Sequence, residues 1–298
     1  MTVIAVAGGA GKLGRAIVEA LVEQGQHDVV VLAREVNTIM IRNIKNKIVL
    51  IPAVPRPKIP KEPELWLWTT DTSRLAAVLE TNKIETLIQA AEKSVSTKRY
   101  IPSFPIAQSK LDITAALEAT STLEYTAVLN GYFADYWVAP KVKSYQDPLL
   151  LVVDIPNNFA AIPGSGNELV AFTHTFDVAR FVAALVGAPK WEKESYIIGD
   201  KVSWNQFVQY AEEAKGTKFT VKTDSVEELK KGQITELPSN PHLYPFFPKE
   251  MLQGLFSAFG RIFAEGAFDF KPKHTLNKDF FEVQARKVKD LIFEAWKE

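Results

Sequence analysis

The sequence predicts a doubly wound α/β fold: a parallel sheet flanked by helices, followed by a smaller α+β lobe. Three observations carry that expectation. The chain opens on an apolar run, Val3 to Ala7, that breaks into glycines at Gly8, Gly11 and Gly14. A helical stripe and a second apolar run, Val29 to Ala33, complete one strand–helix–strand unit. Later apolar runs, at Arg99 to Ser103 and Tyr125 to Leu129, again alternate with amphipathic stretches. We place a first domain over residues 1–140 and a second lobe over 141–298. With no internal repeat and no low-complexity linker, the two are expected to pack as one unit.

Each element has its own justification. Gly8 permits a tight turn after the first strand, Gly11 lets the backbone approach a ligand, and Gly14 lets the helix lie close on the strand. The amides opening that helix point at an anion, and a pyrophosphate is the anion that this strand–glycine–helix context suits, which makes the first domain Rossmann-like. Leu13, Ala16, Ile17, Ala20 and Leu21 form the apolar stripe of the helix, and Gly25 is placed to end it. The second strand closes on Arg34, where an acid would bond a ribose 2′-hydroxyl and an arginine accommodates a 2′-phosphate. Arg34 therefore favours NADP over NAD; the alternative is a solvated surface arginine.

Residues 37–70 are harder to read. Ile44 to Ile51 has strand character, after which Pro52, Pro55, Pro57, Pro60 and Pro63 predict an irregular excursion. Leu65 to Trp68 is an apolar-aromatic cluster with the character of a third strand, and Asp71 to Leu79 opens like a helix. Between Glu80 and Lys98 the fold needs a strand, a loop and a helix, yet the helical stretch Ile84 to Ala91 nearly fills the space. A strand is therefore expected to be missing or displaced.

Arg99 to Ser103 reads as the end of a buried strand, and Lys110 to Ala119 as a helix. The strand Tyr125 to Leu129 closes on Asn130-Gly131, beyond which Tyr132, Phe133, Tyr136 and Trp137 crowd one loop. Such aromatic density either lines a flat, apolar substrate pocket or packs the second lobe. Further on, Thr175 to Val186 is a helix with Asp177 in its first turn, as a helix-start or lobe-docking residue. Ser203 caps a helix running to Lys215, Phe219 to Val221 is a short strand, and a helix begins at Lys249. Phe280 to Trp296 is expected to be a terminal amphipathic helix.

Composition narrows the function. Acidic and basic residues balance at 35 each with no like-charge block, which argues against a nucleic-acid groove or a membrane-binding face. The absence of cysteine removes disulfides, thiolate metal sites and cysteine nucleophiles. His27, His174, His242 and His274 are scattered and form no metal constellation in sequence. No apolar run approaches a membrane span, no charged n-region precedes an h-region, and the expected location is cytoplasmic. A Gly-x-Ser-x-Gly elbow, a His-Glu-x-x-His helix and a Walker loop are all lacking, and none of the eight tyrosines has a lysine four residues on. The acid–base pair of the main short-chain dehydrogenase branch is thus absent.

Several stretches together resemble the atypical short-chain reductases of the isoflavone reductase and phenylcoumaran benzylic ether reductase group, with the related NmrA-like proteins. They are Ala7 to Gly14, Lys98 to Ser103, Lys110 to Ile113 running into Leu117 to Ala119, and Tyr125 to Phe133. Phe172 to Leu185 and Trp191 to Lys218 resemble the carboxyl half of the NmrA-like group, especially its fungal isoflavone-reductase-like members. The resemblance implies an NADPH-dependent reductase of a small aromatic or apolar metabolite, in specialised metabolism, as a monomer or homodimer. It implies that Lys110 is the general acid/base beside the nicotinamide, a role that needs a lysine pKa brought towards neutrality. It also implies that Gly8, Gly11, Lys12, Leu13, Gly14, Arg34 and Ser103 hold the nucleotide, while Asn130, Tyr132, Phe133, Tyr136 and Trp137 meet the substrate. The chain departs from the group where Pro102-Ser103 continues as Phe104-Pro105-Ile106, and in the stretch at 80–90. Those departures leave room for a non-redox isomerase or cyclase on the same scaffold, or for an NmrA-like sensor that binds NADP and signals to a protein partner.

Overall fold

The computed structural model describes residues 2–33, 48–52, 65–68, 82–102 and 107–297. Arg34 and Ser103, the proline-rich stretch at 53–64 and the helix expected over 71–79 lie outside the described residues. The chain divides into two compact units. One comprises Met1–Leu129, Val178–Tyr196 and Lys278–Val283; the other comprises Asn130–Asp177, Ile197–Asn277 and Gln284–Glu298.

In chain order the first elements are β1 (Val3–Ala7), α1 (Lys12–Gln24), β2 (Asp28–Ala33), β3 (Ile48–Pro52), β4 (Leu65–Trp68), α2 (Asn82–Lys93), β5 (Arg99–Ile101), α3 (Ala107–Glu118), β6 (Glu124–Tyr125) and β7 (Ala127–Leu129). There follow β8 (Tyr132–Phe133), α4 (Asp135–Val138), β9 (Val153–Asp154), β10 (Phe159–Pro163), β11 (Leu169–Thr173), α5 (Thr175–Val186), β12 (Glu194–Tyr196), β13 (Asp200–Ser203) and α6 (Trp204–Lys215). The chain then runs through β14 (Thr220–Asp224), α7 (Val226–Lys230), α8 (Lys249–Ala264), α9 (Leu276–Asp279) and α10 (Val288–Trp296).

The first unit holds a six-stranded parallel sheet in the order β3-β2-β1-β4-β5-β6. This order shows the strand displaced and not missing. The helix expected over Ile84 to Ala91 is present as α2, and the strand lies upstream of it at Leu65–Trp68, in register against Ile4 to Ala7. β1 is buried along its whole length, as a strand with neighbours on both edges requires. α1 turns Ala16, Ile17, Val18 and Leu21 inward and stops at Gly25, whose φ of 69° and bond to the Leu21 carbonyl close the helix. Ile88 and Ala91 of α2 pack with Tyr100, Ile113, Leu117 and Tyr125 as a second core cluster.

A single boundary at 140 does not describe the chain. The first unit runs to Leu129, and Val178–Tyr196 returns to it because β12 pairs in parallel with β7. The buried Thr126 and Ser195 hydroxyls bond at 2.8 Å beside that pairing. Arg99 reinforces it by donating to the carbonyls of Ala188 at 2.7 Å and Pro189 at 2.8 Å.

The second unit is built on two three-stranded sheets, β14-β10-β9 and β13-β11-β8. Its core is aromatic: Trp137, Phe172, Trp204, Phe207 and Phe263 interlock at ring separations of 5.0–5.9 Å. Ser203 caps α6 as expected, with a reciprocal bond pair to Gln206. The terminal helix is shorter than expected, covering Val288–Trp296 instead of starting at Phe280. The amides of Arg286 and Val288 donate to the carboxylates of Asp177 and Asp200, at 2.9 and 3.1 Å, so the chain reaching Lys287 is held extended.

Candidate functional site

The turn after β1 is the first half of the site. Gly8 takes a φ of 74°, the left-handed region open to glycine, so the chain reverses as soon as the strand ends. The Gly9 amide donates to the Val6 carbonyl at 3.2 Å and the Gly11 amide to the Gly8 carbonyl at 2.8 Å. Gly11 is the N-cap of α1, with extended backbone and no side-chain cap, and the first turn of the helix carries no acid. Helix geometry leaves the amides of Leu13 and Gly14 without an intrahelical acceptor, and the dipole adds positive character there. An anion is the natural complement of such an end. Lys12 opens the helix and Gly14 is buried beneath it.

The sequence reading missed Gly9. A Cβ at Gly9 would stand 3.0 Å from Val31 Cγ1, 3.0 Å from the Val6 carbonyl oxygen and 3.1 Å from Val18 Cγ2. Gly9 is therefore where the loop presses against β2 and α1, and the three-residue spacing of the other glycines gave no reason to look there.

The topology gives this turn its meaning. β1 is joined to β2 on one edge and to β4 on the other, so the strand order reverses at β1. In open parallel sheets a ligand crevice lies outside the carboxyl ends of the strands at such a switch point. Lys110 stands in the first turn of α3, the helix that follows β5, and so on the same carboxyl edge of the sheet; its side chain lies outside the described residues.

The aromatic turn belongs to the second unit. Gly131 has a φ of 73°, and a Cβ there would lie 2.2 Å from the Ala171 carbonyl oxygen, so this position admits only glycine. That close approach lets Tyr132 and Phe133 pair with Phe172 and Thr173 of β11. Asn130 bends back to donate to the Gly131 carbonyl at 3.2 Å.

Two of the aromatic assignments need correction. Trp137 is 1 % exposed, rings the core with Phe172, Trp204 and Phe207, and donates its indole N–H to the Val153 carbonyl at 2.9 Å. Tyr132 is 7 % exposed and meets Phe259, Phe263 and Phe268 edge-on at 5.3–5.9 Å; burial drives its phenol pKa well up. Both are core residues, and neither offers a ring face to a ligand. Phe133 and Tyr136 remain half-exposed, with ring centroids 6.0 Å apart.

Asp135 was also missed. Its carboxylate, 0 % exposed, accepts from the Thr175 amide at 2.8 Å, the Thr175 hydroxyl at 2.5 Å and the Ser144 hydroxyl. Nothing in the sequence sets this aspartate apart from an ordinary helix-opening acid. His174 is buried beside it. Its Nδ1 accepts from the Phe176 amide at 3.3 Å, so the neutral ring carries its proton on Nε2, 3.3 Å from Asp135 Oδ1 but outside hydrogen-bond direction. Burial holds the His174 pKa below its ordinary value despite the neighbouring Asp135 carboxylate. Asp177 is likewise buried, and its carboxylate accepts from the Arg286 amide at 2.9 Å.

Among the described residues no group of histidine, aspartate and glutamate side chains can hold a metal ion. Also among them, no helix is long and apolar enough to cross a membrane.

Comparison with known proteins agrees with this geometry. Residues 4–120, from β1 to just past α3, match the model of the NAD dependent epimerase/dehydratase family. Oxidoreductase BOA1 of Botryotinia fuckeliana is 34 % identical over 249 residues, covering 74 % of this chain and 78 % of that protein. Oxidoreductase swnN of Metarhizium robertsii is 27 % identical over 99 % of this chain and 98 % of its own length. A solved structure of AtPrR2 with NADP+ and (+)-pinoresinol superposes with a TM-score of 0.74 at 18 % identity, over 98 % of both chains, and shares the fold. The chain is a member of the oxidoreductase family to which these fungal proteins belong.

Proposed function

We propose that this oxidoreductase is an NADP(H)-dependent reductase of a small aromatic or apolar metabolite in specialised metabolism. The observation that carries the reading is the Gly8–Gly14 turn at the switch point of the sheet, where a left-handed glycine and an uncapped helix start sit together on the carboxyl edge. This cradle fits a pyrophosphate, because it offers backbone amides at an uncapped helix start and no competing acid in the first turn. AtPrR2, which has the same fold, was solved with NADP+. NADPH, when bound, supplies the hydride.

In this reading the chain's own residues divide the remaining work. Gly8, Gly9, Gly11, Gly14 and the amide of Leu13 bind the pyrophosphate, with Lys12 and Ser103 beside them. Arg34, next in sequence after β2, takes the 2′-phosphate, which makes NADPH the preferred nucleotide. Lys110 transfers the proton that accompanies hydride transfer, acting from the helix start that follows β5 on the same sheet edge. The half-exposed rings of Phe133 and Tyr136, with Asn130 near them in sequence, offer the substrate an apolar surface.

The experiment is NADPH oxidation followed by absorbance with (+)-pinoresinol and a panel of small aromatic ketones and quinones, using wild type and Lys110→Ala. Turnover by wild type that is lost in Lys110→Ala supports the reading. Equal rates in both remove Lys110 from the proton transfer.

A further inference from the structure

A buried carboxylate ties the aromatic turn to the start of α5. Asp135 lies between Phe133 and Tyr136 in sequence and opens the four-residue helix α4. Its carboxylate accepts from the Thr175 amide and hydroxyl at the start of α5, forty residues on, and from the Ser144 hydroxyl in the loop after α4. Ser144 in turn accepts from the Gln146 amide at 3.0 Å, so the loop after α4 is gathered on the same point. β8 pairs with β11 and the Trp137 residue is bonded at its indole and carbonyl, while the backbone around Asp135 has Ala134 donating to the Thr173 carbonyl, Trp137 to that of Ala134 and Ala139 to that of Asp135. A helix of one turn has too few internal bonds to hold its shape alone.

A carboxylate that accepts three donors from two separate segments fixes direction as well as distance. An amide in its place presents one acceptor oxygen and one donor group, and the donor faces the Thr175 and Ser144 donors. We propose that Asp135 is a positioning residue, which sets the orientation of Phe133 and Tyr136 and through them the affinity for the apolar substrate. The proposal rests on the reading of those two rings as substrate surface.

Hydrogen–deuterium exchange and ligand binding on the full chain test it together, with 2-naphthol as the aromatic probe. In Asp135→Asn the amides of Ala134, Trp137 and Ala139 exchange about tenfold faster, the loss expected from bonds to a buried carboxylate. The amides pairing β10 with β14 in the same unit keep wild-type rates. Affinity for 2-naphthol, measured by equilibrium dialysis, falls several-fold on the same grounds, while NADPH affinity is unchanged. Thr175→Ser, which keeps the hydroxyl donor, behaves as wild type; Thr175→Val, which loses only that donor, falls between. Should Asp135→Asn fail to fold, the Thr175 pair carries the same comparison.

Unchanged exchange in the turn overturns the proposal, as does acceleration shared equally by β10 and β14. Equal 2-naphthol affinity in wild type and Asp135→Asn removes Asp135 alone. A wild type that does not bind 2-naphthol removes the substrate surface itself, and this inference with it.

Discussion

Gly9 lies so close to Val31 that a methyl group on its Cα would stand 3.0 Å from Val31 Cγ1 and 3.0 Å from the Val6 carbonyl oxygen. The valine rotamer has some room to give, but the carbonyl belongs to β1, which has neighbours on both edges. Gly9→Ala should therefore shift the loop. The expected result is a loss of stability of about 1–3 kcal/mol, as for overpacked sites, with a fall in NADPH affinity of at least tenfold. Thermal unfolding and calorimetry measure the two. Gly254→Ala in α8 is the control, because a Cβ there meets nothing within 4 Å, and it should stabilise by about 0.5–1 kcal/mol.

Lys110 is read as the proton-transfer group, so Lys110→Ala should lower kcat by about 10²–10⁴-fold. The NADPH dissociation constant should change less than threefold, on the order of the smallest contact losses. Steady-state kinetics with a turned-over substrate and calorimetry give the two numbers. A variant with wild-type kcat would end the assignment.

Trp137 and Phe133 sit four residues apart and should respond differently. Trp137→Ala removes a ring packed on Phe172, Trp204 and Phe207, and should cost about 3–5 kcal/mol of stability. Phe133→Ala removes a half-exposed ring and should cost about 1 kcal/mol or less, while raising KM. Urea denaturation alongside kinetics separates a core residue from a surface one.

His174 sets a pH dependence. Burial holds its pKa below the ordinary 6.5, so in the folded chain it stays neutral where the unfolded chain binds a proton. Stability is therefore fully present above about pH 6.5 and falls as pH drops through the window beneath it. His174→Gln should flatten the curve in that window. A variant whose stability falls with acid as steeply as wild type would assign the effect elsewhere.

The contrast between β4 and Asp135 shows what the sequence could carry. β1, its glycines and α1 were legible because a strand, a turn and a helix start are local patterns. Leu65 to Trp68 had the look of a strand, but its place beside β1 depends on pairing with residues about sixty positions away, which no local pattern encodes. The start of the terminal helix was misread for a similar reason. The 3.6-residue stripe runs through Phe280 to Lys287, yet the amides at 286 and 288 are taken by Asp177 and Asp200 from far upstream.

Within the aromatic turn, composition marked four rings, but only the partners from α6 and α8 decide which of them are core. Asp135 carried no signal at all, since Thr175 lies 40 residues on. Gly9 was hidden because its constraint comes from Val31 on the neighbouring strand.

The most direct test of the central claim is calorimetric titration of the full chain with NADPH and NADH, repeated for Arg34→Ala, after mass spectrometry has checked for copurified nucleotide. The account predicts micromolar NADPH binding, at least tenfold weaker NADH binding, and a loss in Arg34→Ala confined to NADPH, the scale expected for one phosphate–arginine contact. No binding of either nucleotide, with none copurified, would contradict it.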